Sequence, residues 1–70
     1  MTLNETAAYQ IRTRRTAMGV SQGQLAKRIG ASHQTAVSFW EVGRYVPNAY
    51  FLCALADVFG CSVDELLGRK

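Results

Sequence analysis

Residues 22–41 read QGQLAKRIGASHQTAVSFWE, two short helical patterns on either side of a glycine turn. Ser21 precedes the run as an N-cap, and Gln24, three residues on, completes an S-x-x-Q capping box. Leu25, Ala26 and Ile29 follow at helical spacing and form one apolar stripe. Gly30 ends that helix, where a left-handed residue is wanted and glycine adopts it without strain. Ser32 is a second N-cap candidate, and an amphipathic segment follows from His33 to Trp40. Ala26 is small where the second helix must cross the first closely.

A helix, a glycine-containing turn and a second helix with a polar start make the helix-turn-helix plan. Such a second helix can lie in the major groove of DNA and read base edges with its N-terminal residues. The rest of the chain suits that plan. Seventy residues predict one domain over 1–70, with the two-helix unit at about 22–41. A composition 49% hydrophobic and 19% charged is that of a globular fold rather than a disordered one. The net charge of +3 favours an anionic partner only weakly. Its placement says more: Arg12, Arg14, Arg15, Lys27, Arg28 and Arg44 lie in the first 44 residues, whereas residues 47–68 carry only Asp57, Asp64 and Glu65. One end is basic and the other acidic, as in a module that sets one face on a polyanion.

Outward from the central stretch, Thr2 and Glu5 form a second capping box and open helix 1, which Gly19 stops. Leu3, Ala7, Ile11 and Met18 fall on one face of it, interrupted by Arg14, whose stem can cover the core. After helix 3 comes the loop Val42 to Pro47, and Pro47 with Asn48 prepares helix 4 over about 49–59. Leu52, Leu55, Ala56 and Phe59 are its expected core stripe. Ser62 and Glu65 form a third capping box for a short helix 5 with Val63, Leu66 and Leu67 inward, and residues 68–70 are a frayed tail. The expectation is an all-α chain of five short helices, with no repeat and no strand-like alternation.

In order, the residues carry I-R-x-x-R (Ile11, Arg12, Arg15), G-V-S-Q (Gly19 to Gln22), L-A-K-R-I-G (Leu25 to Gly30), W-E-V-G (Trp40 to Gly43), Pro47, L-x-x-L-A (Leu52, Leu55, Ala56) and G-C-S-V-D-E-L-L (Gly60 to Leu67). No single piece is specific, but the ordered set resembles the Cro/C1-type repressors, the xenobiotic-response-element helix-turn-helix family, over residues 8 to 68. That resemblance implies a compact five-helix, lambda-repressor-like domain that binds operator DNA, usually as a dimer. There is one departure. The family usually reads G-V-S-R-Q-T-V-S-R-W-E-R-G, and here G-A-S-H-Q-T-A-V-S-F-W-E-V-G is one residue longer between Gly30 and Gly43. One register turns Val37 and Trp40 inward, with Ala36 as the insertion. The other turns Ala36 and Phe39 inward and absorbs the extra residue near Trp40. Val37 and Trp40 bury more area, so the first is favoured for the C-terminal half of helix 3. The family register is kept for its start, and a π-bulge joins the two.

The candidate DNA contacts are Gln22, Ser32, His33, Gln34, Thr35, Ser38 and Arg44. Gln22 starts helix 2, where the helix-end amides favour a phosphate. Glutamine can pair bidentately with adenine, and serine and threonine suit several partners. Thr35 and Ser38 depend on the register, and Phe39 stands where the family often has a polar contact residue. Arg12, Lys27, Arg28 and Lys70 are further phosphate candidates, although surface basic residues are ordinarily only solvated. Arg15 and Glu41 occupy positions that the resemblance pairs, as a structural tie between helix 1 and the end of helix 3. Tyr50, Phe51, Ala54 and Val58 form a second apolar stripe on helix 4, read as a dimer or partner-protein surface. Otherwise it is core wrapped further round the helix.

No cofactor and no metal are expected. His33 is the single histidine, with no cysteine near it in sequence. Cys53 and Cys61 sit among apolar residues and read as reduced core or near-core thiols of a cytoplasmic protein. No apolar run approaches the roughly 20 residues that span a bilayer. Asp57, Asp64 and Glu65 lie at helix ends without a nucleophile–base pair, so an enzyme is not expected. The expected function is sequence-specific transcriptional regulation, as a repressor dimer on an inverted-repeat operator. The alternative is a protein-interaction or antitoxin-type module working through helix 4.

Overall fold

Three helices of this protein begin in the same way. The hydroxyls of Thr2, Ser21 and Ser62 accept the N–H three residues on, and Glu5, Gln24 and Glu65 reach back to the N-cap N–H. All three capping boxes expected from the sequence are formed, each satisfying donors that a helix start otherwise leaves open. The computed structural model describes residues 1–69; Lys70 lies outside the described residues. Five helices are present: α1 (Leu3–Met18), α2 (Gln22–Ile29), α3 (Gln34–Glu41), α4 (Ala49–Phe59) and α5 (Val63–Leu66). They form a globule of 27 × 23 × 22 Å with no strand among the described residues.

The core is Ile11 of α1, Leu25, Ala26 and Ile29 of α2, Val37 and Trp40 of α3, Leu55 and Ala56 of α4, and Leu66 of α5. Each helix contributes its stripe, so no helix is stable by itself; the core they build in common holds them. Two ends of the expected α1 stripe fall outside it. Leu3 is 49% exposed and Met18 38% exposed, and the buried face is Ala7, Ala8 and Ile11. Sixteen residues make a helix about 24 Å long, as long as the whole molecule is wide, so its two ends overhang the core.

Helix α3 departs from expectation at its start. Its N-cap is His33, extended at φ −140° and ψ 148°, with no side-chain cap bond, and Ser32 lies one residue outside, in the turn. Val37 is wholly buried and Trp40 nearly so, while Ala36 and Phe39 are half-buried. That is the inward pair of the first register, but Ala36 is not the insertion: one register holds for the whole helix. No π-bulge joins two registers; α3 is unbroken α-helix from Gln34 to Glu41. The extra residue is absorbed between Gly30 and His33. A turn lengthened by one residue costs little closure entropy, whereas a bulge would disrupt ladder bonds inside an eight-residue helix.

Helix α4 also differs. Tyr50, Phe51, Ala54 and Val58 do not form one free stripe. Phe51, Ala54 and Val58 pack against the core, and Leu52, expected inside, is only half-buried. The reason is Trp40. Its large indole needs a cover, and Phe51 supplies it, with ring centroids 5.5 Å apart. Tyr50 is 67% exposed and meets Phe51 edge-on. Cys53 is exposed on the outer side of α4 rather than near the core, Cys61 is half-buried, and both thiols are free. Among the described residues no helix is long and apolar enough to cross a membrane.

Candidate nucleic-acid interface

The geometry of α3 follows from what holds its C-terminal end. Glu41 is 4% exposed, a carboxylate buried where the helix dipole already concentrates negative charge. Arg15 answers it with two donors: Nε to one carboxylate oxygen at 2.5 Å and Nη2 to the other at 3.0 Å. The carboxylate in turn holds the Arg15 guanidinium charged, raising its pKa. Gln22 donates its side-chain amide to Glu41 Oε1 at 3.1 Å. Arg12 donates Nη1 to the Glu41 main-chain carbonyl at 2.9 Å, and Asn4 donates Nδ2 to the Gly43 carbonyl at 3.2 Å. Arg15 also donates Nη1 to the Val20 carbonyl at 2.9 Å, fixing the chain that leads into α2. Every buried side-chain nitrogen and oxygen among the described residues has a partner. The network ties the end of α3 to α1 and α2, and so sets the angle at which α3 stands.

What that clamp presents is the opposite face of α3. Val37, Trp40 and Glu41 point inward; His33, Gln34 and Thr35 are exposed and Ser38 is half-exposed. Positions 34, 35 and 38 share one side of a helix. This places three of the sequence-derived contact residues together on the outer face, with His33 at its rim and Ser32 in the preceding turn. At the far end, Phe39 is half-exposed and stacks edge-on with Tyr45, centroids 5.6 Å apart. The Arg44 guanidinium lies 5.0 Å from the Phe39 ring centre and 5.8 Å from that of Tyr45. Phe39 thus holds the Arg44 cation beside the C-terminal half of α3.

Two of the candidate phosphate residues are otherwise engaged. Gln22 and Arg12 spend side-chain donors on Glu41. What the start of α2 still offers an anion is main chain, because the first N–H groups of a helix, here those of Gln22 and Gly23, have no partner within it. Lys27 and Arg28 are exposed in the last turn of α2, where they also suit its dipole. Lys70 lies outside the described residues. The sequence reading missed the roles of Asn4, Arg12 and Gln22 around Glu41; their signal was weak, since each reads alone as an ordinary polar surface residue. The Phe39–Arg44–Tyr45 cluster was legible only as an oddity at Phe39. Among the described residues no group of three or more His, Cys, Asp or Glu could hold a metal ion.

Residues 11–66 match the HTH_3 model, a helix-turn-helix family. The HTH-type transcriptional activator BcrR of Enterococcus faecalis is 38% identical over 56 residues, 80% of this chain but only 27% of that protein. An uncharacterized HTH-type transcriptional regulator of Archaeoglobus fulgidus is 35% identical over 57 residues, 81% of this chain and 80% of its own length. In structure the chain is similar to the P22 c2 repressor, solved in complex with a synthetic operator. The TM-score is 0.85 at 36% identity, over 91% of this chain and 96% of that one. It is also similar to the hypothetical transcription factor NHTF from Neisseria, with a TM-score of 0.84 at 30% identity, over 94% and 75% of the two chains.

Proposed function

Because the chain belongs to the Cro/C1-type helix-turn-helix family, we propose that it is the DNA-reading part of a transcription regulator, with α3 as the helix that enters the major groove. The observation that carries this reading is the polar outer face of α3, made of His33, Gln34, Thr35 and Ser38, on a helix fixed from behind by Arg15 and Glu41. Gln34, at the first helical position, pairs with a base edge, adenine by preference. Thr35 and Ser38 contact bases or sugar–phosphate beside it. Ser32 and His33 meet the backbone at the groove edge, and Arg44 and the main-chain N–H groups at the start of α2 hold phosphates on either side.

The protein acts as a homodimer on an inverted repeat, with two copies of α3 in successive major grooves about 34 Å apart. The dimer surface is the outer side of α4, where Tyr50 and Cys53 remain exposed. Its effect is repression, as in the P22 c2 neighbour, whose chain it covers nearly whole. It works without catalysis, in the cytoplasm, where such regulators meet their operators.

The test is a salt titration of binding to random-sequence duplex DNA, for the wild type beside Gln34→Ala. Wild type should bind with affinity falling as salt rises. Gln34→Ala should keep that general binding and lose preference for a selected duplex. A wild type with no salt-dependent binding would overturn the reading.

A further inference from the structure

Gly23, the second residue of α2, needs its own account. It is not among the glycines with positive φ, so its backbone conformation is open to any residue. It sits in a helix, where glycine is the poorest choice after proline. The main chain therefore does not require glycine at this position. A Cβ at position 23 would lie 3.1 Å from Gln34 Oε1, and its next neighbour, the Ser21 hydroxyl oxygen, is 3.9 Å away. The space left open at Gly23 is occupied by the amide of the first residue of α3.

We propose that Gly23 is a specificity-determining positioning residue: by lacking a side chain it seats the Gln34 amide against α2 and so fixes which base edge that amide can pair with. The inference rests on the DNA-reading function above and goes beyond it by adding a residue that touches no base. A glutamine side chain has three rotatable bonds, and bidentate pairing needs its amide plane aligned with the base. Laid against the bare Cα of Gly23, the amide is confined on one side before DNA arrives. A Cβ there makes the amide give by a few tenths of an ångström, which removes the wall on that side and lets the amide plane turn away from the orientation a two-point hydrogen bond needs. Confinement costs the protein some helix propensity in α2 and removes ordering cost at the moment of binding.

The experiment uses the full chain as wild type, Gly23→Ala, Gly23→Ser, Gln34→Ala and the double variant Gly23→Ala/Gln34→Ala. The wild type first selects a preferred duplex from a pool with randomised base pairs. Each protein is then titrated on that duplex and on random-sequence duplex, with a thermal melt alongside. Gly23→Ala should melt no lower than wild type, and because the Gly23 N–H itself faces phosphate the readout is the ratio of affinity for the selected duplex to affinity for random duplex. That ratio should fall about tenfold, or the preference should shift at one base pair. Gly23→Ser should behave alike, and in the Gln34→Ala background the Gly23→Ala loss should vanish. An equal ratio for wild type and Gly23→Ala, with an unchanged preference, overturns the proposal. So does a loss that persists without Gln34, which would mean the new methyl meets the DNA itself. A wild type that selects no duplex overturns the DNA-reading function, and this inference with it.

Discussion

Arg15 grips both carboxylate oxygens of Glu41, from Nε at 2.5 Å and Nη2 at 3.0 Å, across 26 residues of sequence. The pair is partly sealed from water, with side-chain exposures of 18% and 4%. A buried pair of this kind contributes little over a well-packed apolar pair, but breaking it strands a charge. Arg15→Ala should therefore lower stability by about 3 kcal/mol, a large share of what a small domain has. The double variant Arg15→Met/Glu41→Leu should regain much of that loss. Urea melts of the three proteins read both outcomes. A loss under about 1 kcal/mol for Arg15→Ala would mean the pair behaves as an exposed surface bridge.

The position of the extra residue makes a second prediction. It lies in the turn between Gly30 and His33, and α3 runs unbroken behind it. Deleting Ser32 should shorten that turn to the family length and leave Gln34 where it is. Deleting Ala36 should instead rotate Gln34 and Thr35 by about 100° relative to Val37 and Trp40. Both deletions should fold, as seen by circular dichroism. Only the second should change which duplexes are selected from a random pool. The same change of preference in both variants would put the insertion inside the helix after all.

The pattern of what the sequence revealed follows from range. The N-caps at Thr2, Ser21 and Ser62 and the stop at Gly30 are local, decided within four residues, and all are as read. The inward pair Val37 and Trp40 was legible because burial of large apolar area outweighs alternatives. The π-bulge was not, because register at the start of α3 depends on how the turn closes, which no local pattern records. Phe51 and Val58 looked free because their partners are distant in sequence; only the folded chain brings Trp40 under Phe51. The clamp on Glu41 was half legible. Arg15 was expected from family spacing, whereas Gln22 and Arg12 arrive from other helices by tertiary packing alone.

The exposed Arg44 guanidinium lies over the rings of Phe39 and Tyr45. Arg44→Ala should reduce the slope of log K against log salt by about 0.9, the share of one phosphate contact. Phe39→Ala should weaken binding to random and selected duplexes alike, by about threefold, since an exposed cation–π contact is worth about 0.5–1 kcal/mol. Anisotropy titrations at several salt concentrations separate the two. A change of base preference in Phe39→Ala would instead make Phe39 itself a reader.

Acid should loosen the helix starts. The Thr2 and Ser62 N–H groups and hydroxyls hold the carboxyls of Glu5 and Glu65 below the ordinary value of 4.5. The unfolded chain thus takes up protons at a pH where these folded groups still refuse them. The stabilisation is complete above about 4.5 and is lost as pH falls through the lowered folded values. Glu5→Gln and Glu65→Gln should each flatten the acid limb of a stability–pH curve measured by urea melts from pH 7 to pH 2. Amide variants with an unchanged acid limb would show that other carboxylates carry the acid response.

The two thiols should part company in reactivity. Burial pushes the Cys61 thiol up from its ordinary value, with Arg14 opposing and Glu65 adding to the shift. Cys53 stands exposed on the outer side of α4. The thiolate is the reactive form and must also be reached by the reagent. Iodoacetamide near pH 8 should therefore modify Cys53 first in the folded protein, and Cys61 only as the chain opens. Peptide mapping after short pulses gives the order, and urea should bring the two rates together. If the homodimer uses the outer face of α4, raising protein concentration should slow the Cys53 rate and leave that of Cys61 unchanged. A Cys53 rate independent of concentration across the range where sedimentation shows a dimer would move the dimer surface off α4.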